Sequence, residues 1–139
     1  MKNIYSKSNK EYLLASIINK STITDYRQDL SPEDEFIQVS ARKFDKLITV
    51  APHKHLKIDR RSDITQETWI IIEGKVKAEI FDINDKLQNK EILSSGDCIV
   101  LFRGGHSLKV LEKNTIMYEV KNGPYFGKIN DKIDLWKKK

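Results

Sequence analysis

The chain has 139 residues, 39% of them hydrophobic and 32% charged, with a formal charge of +5. That length suits one domain with its own core, and the composition excludes a disordered chain. Lys137-Lys138-Lys139 supplies three of the positive charges, so the body is nearly balanced and lacks the basic footprint of a nucleic-acid binder. No stretch approaches the roughly 18 apolar residues of a membrane span, the start lacks a signal-peptide pattern, and the single cysteine, Cys98, excludes an internal disulfide. These features predict a soluble, cytoplasmic protein with neither a nucleic-acid nor a membrane partner.

Ser8-Asn9-Lys10-Glu11 matches a capping box, and Leu13, Leu14, Ile17 and Ile18 follow at helical spacing. This predicts a short helix near 9–19, with a strand as the close competitor. Polar residues through Ser31-Pro32-Glu33-Asp34-Glu35 read as loop. From residue 36 the texture is that of strands: Phe36–Ser40, Leu47–Val50, the apolar run Trp69–Ile72, and the alternating Val76, Ala78 and Ile80. Asp82–Lys86 supplies a turn. Ile92-Leu93, Cys98–Phe102, Leu108–Leu111 and Thr115–Val120 complete the series. Many short strands separated by Gly and Asp predict an antiparallel all-β sandwich or barrel.

His53 and His55 are two apart, which on a strand points both imidazoles to one face. Such a pair is half of a metal site, although paired surface histidines are common. Six residues separate Glu67 from Gly74. Further on, Gly96-Asp97 opens an apolar strand that leads to Gly104-Gly105-His106.

These segments resemble the two motifs of the cupin superfamily. His53-Lys54-His55, Glu67 and Gly74 follow the order of the first motif, with eleven residues between His55 and Glu67. Gly96 to His106 follows the second, with Phe102 where proline is usual. Pro52 to His55, Gly104 to His106 and Gly123-Pro124-Tyr125 are similar to small one-domain cupins often associated with surface-carbohydrate biosynthesis. The resemblance implies a cupin-type antiparallel β-barrel, a double-stranded β-helix or jelly roll, over 36–127. A short helix or arm over 1–35 would pack on it, and 128–139 would be a basic tail.

The resemblance further implies one divalent transition metal, Fe, Mn, Ni or Zn, held by His53, His55, Glu67 and His106. Three imidazoles and a carboxylate suit all four metals. The expected function is metal-dependent action on a small polar molecule such as a sugar or sugar nucleotide, of isomerase, epimerase or oxygenase type. The alternatives are a non-catalytic small-molecule or metal-binding module, and a metal-free barrel whose histidines act as acid and base.

Glu119 interrupts an apolar strand; facing inward, it is a candidate general base or a support for a ligand histidine. Arg60 and Arg61, in the loop between ligands, are candidates to grip a phosphate or carboxylate, with a solvated loop tip as the plainer reading. Tyr125 is a candidate to cap the mouth. Cys98 and Trp69 read as core, and Trp136 as exposed or docked at an interface. A homodimer is expected, with residues 1–31 covering a sheet edge.

Overall fold

A computed structural model describes residues 1–135. In chain order it contains β1 (Lys2–Tyr5), β2 (Leu13–Ile18), a single 3-10 turn (Lys20–Thr22), β3 (Gln28–Asp29), β4 (Ser40–Ala41), β5 (Glu67–Glu73) and β6 (Lys75–Phe81). There follow β7 (Leu87–Ser94), β8 (Cys98–Leu101), β9 (Gly105–Val110), β10 (Ile116–Lys121) and one helical turn, α1 (Lys128–Asp131). The protein is all-β, and every strand pairing is antiparallel.

Five strands form one sheet in the order β1-β2-β8-β5-β10, and three form a second in the order β7-β6-β9; β3 and β4 pair separately. The two larger sheets share one core. Leu14, Trp69, Ile71, Ile99 and Leu101 from the first pack in one cluster with Val76, Ala78, Ile80 and Leu93 from the second. The described residues form two facing sheets rather than a closed barrel. The chain passes between the sheets at tight turns. Gly74, between β5 and β6, has φ +82°, and Gly104, between β8 and β9, has φ +77°. Glycine occupies this region without a side-chain clash.

The outer face of the larger sheet holds a second cluster. Leu13, Ile18, Val100 and Phe102 lie under Leu30, with Ile23, Ile37 and Val39 packed against them. The alternation of Ile37 and Val39 is thus used to cover a sheet. Within 36–41, only Ser40–Ala41 is a strand, paired with β3. Residues 47–50 form no strand.

The helix expected near 9–19 is replaced by β2. Every residue of Leu13–Ile18 is buried, because β2 lies between β1 and β8 and is covered on both faces. A central strand demands continuous apolar character, which a short run shares with a buried helix. The capping signal serves a different structure. The N–H groups of Lys7 and Ser8 and the Ser8 hydroxyl donate to Asp82 Oδ2 at 2.9, 3.1 and 3.1 Å. β1 and β2 therefore belong to the sheet itself rather than to an arm laid over it. Trp136 and the lysine tail lie outside the described residues. Among the described residues, no helix is long and apolar enough to cross a membrane.

Candidate functional site

The pleat of three strands converges on one end of the sandwich interior. On β5, Glu67, Trp69 and Ile71 share a face, and Trp69 and Ile71 belong to the core. On β9, His106 stands opposite core residue Ile80 of β6, so its side chain shares the inner face. On β10, Lys121, Glu119 and Met117 stand opposite Glu67, Trp69 and Ile71. The inner face thus changes from apolar to charged as it approaches this end.

Glu67 is 3% exposed. Its Oε1 accepts a short hydrogen bond from the Trp69 indole N–H, and its Oε2 lies 3.8 Å from His106 Nε2. The His106 side chain is 30% exposed, and its ring meets the Trp69 ring edge-on, with centroids 5.4 Å apart. Burial pushes the His106 imidazole below its ordinary pKa. The Glu67 carboxylate pulls it back up, the Lys132 cation lowers it further, and Glu119 raises it. The net direction is downward, which favours a neutral ring at pH 7. A buried carboxylate beside a neutral imidazole is an arrangement suited to moving a proton.

These two groups line a cavity of about 610 Å³. Its rim comes from loop 62–65, the Gly104-Gly105 turn and residues 122–135; Pro124 and Phe126 contribute apolar wall. Asn122 fastens the loop to the strand end: its Oδ1 accepts from the Gln66 N–H at 2.7 Å, and its Nδ2 donates to the Ile64 carbonyl at 3.1 Å. The Thr65 hydroxyl donates to Asp131 Oδ1 at 3.1 Å, and the buried Asp131 Oδ2 has no hydrogen-bond partner among the described residues. Sequence reasoning missed Thr65, Asn122, Asp131 and Lys132. They carry no periodicity and no motif, and only the fold assembles them.

The structure separates the four expected metal ligands into two pairs. Glu67 and His106 meet at the cavity. His53 and His55 are exposed, their rings 5.6 Å apart, with His53 Nδ1 3.0 Å from the Ala51 carbonyl oxygen, and neither lines the cavity. Among the described residues, no three His, Cys, Asp or Glu side chains are grouped to hold a metal. The donor chemistry suits a divalent transition metal, but the placement of the donors does not fit one.

Arg60 and Arg61 are exposed and do not line the cavity; Arg61 Nη2 lies 3.0 Å from Asp59 Oδ2. Glu119 stands on the inner face but keeps nearly half its side chain exposed, and its Oε1 lies 3.7 Å from Lys121 Nζ. Lys121 Nζ in turn sits 4.4 Å over the Tyr125 ring, so Tyr125 braces the rim from outside the lining. Cys98 is a free, partly buried thiol whose pKa is pushed up to about 12 by burial.

Searches with protein-family models and comparisons with curated proteins and solved structures return no match to this chain.

Proposed function

We propose that the chain is a cupin-type protein that binds a small polar molecule, of the sugar or sugar-nucleotide class, and acts on it by proton transfer of the isomerase or epimerase kind. The observation that carries this reading is the Glu67–His106 pair at the inner wall of a cavity of about 610 Å³, a size suited to such a ligand. The neutral His106 imidazole accepts a proton from an acidic C–H or O–H of the bound molecule. Glu67 stabilises the imidazolium that forms, and the Trp69 N–H holds the carboxylate in place. Thr65, Asn122 and Asn130 are suited to binding hydroxyl groups at the rim. A divalent metal on His53, His55, Glu67 and His106 rests on donor chemistry alone and is an alternative to this proton transfer, because an imidazole nitrogen bound to a metal has no lone pair to accept a proton.

Calorimetric titration with hexoses, sugar phosphates and sugar nucleotides tests binding. Solvent-deuterium incorporation into the bound sugar tests turnover. Saturable binding that Glu67→Gln and His106→Asn weaken at least tenfold is expected, with deuterium incorporation in the wild type alone. Absence of binding across all three classes, or binding indifferent to both substitutions, overturns the reading. Binding without deuterium incorporation leaves the non-catalytic module. Metal analysis of untagged protein tests the metal: less than a tenth of an equivalent, with no uptake on titration, removes it.

A further inference from the structure

The 24 residues from 42 to 65 form no helix or strand, and every one is exposed. Compact domains rarely carry so long an excursion without structure of its own unless it binds something. The composition is not that of a solvated loop. Ile48, Val50, Leu56 and Ile58 fall on even positions, with Pro52 in phase and Lys54 the exception, while Thr49, His53, His55 and Lys57 fall on odd ones together with Ala51 and the leading Leu47. This is the period of a strand with one apolar face. Residues 47–58 nevertheless pair with no strand and take part in no loop backbone hydrogen bond among the described residues.

A complementary surface lies on β10. It ends the five-stranded sheet, so one side of its backbone has no strand beside it. Its outward side chains Tyr118 and Val120 are 65 and 48% exposed, Ile116 at the bulge beside them is 52% exposed, and the apolar patch continues onto β5 through Ile72. The cluster that covers the rest of this face contains none of them.

We propose that residues 47–58 of one copy of this chain dock as an added strand on the β10 edge of a second copy, giving a two-fold homodimer. Each copy carries both surfaces, so the two-fold axis repeats the contact and closes the assembly. The area suffices. Taking roughly 100 Å² for a fully exposed aliphatic or aromatic side chain, the exposed fractions of Ile48, Val50, Leu56 and Ile58 and of the β10–β5 patch give about 450 Å² of apolar surface per copy. At the ~65% apolar share of homodimer contacts, this implies about 700 Å² per partner, within the range of roughly 600–1,000 Å² around a standard interface. Pro52 is acceptable there, because the added strand becomes the outermost one.

The alternation has a consequence for the cavity. With Ile48, Val50, Leu56 and Ile58 continuing the outer apolar face, His53 and His55 fall on the inner face. There β10 carries Glu119 and Lys121, and β5 carries Trp69 and Glu67. The second copy thereby brings two imidazoles toward the cavity. This part of the inference rests on the function proposed above for Glu67 and His106.

Light scattering at tens of micromolar is expected to give twice the 16.2 kDa chain mass. Hydrogen exchange is expected to show residues 47–58 protected in the dimer and unprotected after dilution to monomer. A single-chain mass overturns the proposal, and so does protection that survives dilution, which would place the strand on its own copy. Leu56→Asp with Ile58→Asp, and separately Tyr118→Asp, are each expected to give monomers with native circular dichroism. An equimolar mixture of the two is expected to re-form dimer, since one of its two contacts is intact. Variants that both stay dimeric overturn the proposal, as does a mixture that stays monomeric. Nickel(II) titration separates the two readings. A segment-dependent dimer that binds no nickel supports the docking and removes the metal. Nickel bound by a concentration-independent monomer does the reverse.

Discussion

Replacing Asp82 with Asn is expected to cost this small protein a large fraction of its stability. Asp82 is 2% exposed and joins two distant parts of the chain. Its Oδ2 takes three donors from Lys7 and Ser8, and its Oδ1 takes the Ile83 N–H at 2.7 Å. Burial alone would raise its pKa. Hydrogen bonds from the Ser6 hydroxyl and from the N–H groups of Ile83, Ser8 and Lys7 reverse that and hold it at about 2, against 3.8 for an ordinary aspartate. The gap corresponds to about 2 kcal/mol of stability at neutral pH. An asparagine keeps one acceptor and turns an NH2 toward donors, which leaves an N–H unsatisfied at roughly 1–3 kcal/mol more. The total, about 3–5 kcal/mol, corresponds to a fall of roughly 10–20 °C in Tm for a chain of this size. Urea unfolding followed by circular dichroism measures it. The folded pKa lies below the unfolded one, so the charged carboxylate contributes fully above about 3.8, and its contribution disappears as pH falls toward 2. The wild-type and Asp82→Asn curves should therefore converge between pH 4 and pH 2. A difference below about 0.5 kcal/mol at pH 7, or one that stays constant down to pH 2.5, refutes the reasoning.

Gly104→Ala places a Cβ 2.3 Å from the Phe81 carbonyl oxygen at φ +77°, and is expected to destabilise by about 2–3 kcal/mol in urea unfolding. A near-neutral result would mean that the Gly104-Gly105 turn can be rebuilt without glycine. Cys98 should react with a thiol reagent at pH 8 at least ~100-fold more slowly in the native protein than in urea, because burial keeps the thiol protonated; equal rates would show the thiol to be open. Ile71→Ala, at a fully buried position between the sheets, should cost about 2–5 kcal/mol in the same unfolding assay. A loss under 1 kcal/mol there would argue against the shared core.

Much of the sheet framework was legible because its strands keep a period of two. Val76, Ala78 and Ile80 are all buried where the alternation placed them, and Asp82–Lys86 turns where its composition required. The proximity of Glu67 and His106 was reachable through glycine spacing, since Gly74 and Gly104 mark the passages between sheets that set both residues on the inner face. β2 was not legible as a strand. Its capping signal is genuine chemistry, but its partner Asp82 lies 74 residues beyond Ser8, and no local pattern reports that. The cavity rim was illegible for the same reason: Thr65 and Asp131 meet across 66 residues. The segment 47–58 shows the opposite failure. Its periodicity is that of a strand, yet it pairs with no strand among the described residues.

The position of β2 also governs how this protein must be made. Its first neighbour, β1, precedes it, but its second, β8, comes about eighty residues later in the sequence. A ribosome adding about 5–20 residues per second needs roughly 4–16 s to deliver that partner. Throughout that interval Leu13–Ile18, six residues with no charge among them, has only one flank covered. Such a stretch is prone to pairing with other nascent chains. Early translation, more than the finished fold, is therefore where overproduction of this chain should fail, and slower growth temperatures or a holding chaperone should raise the yield.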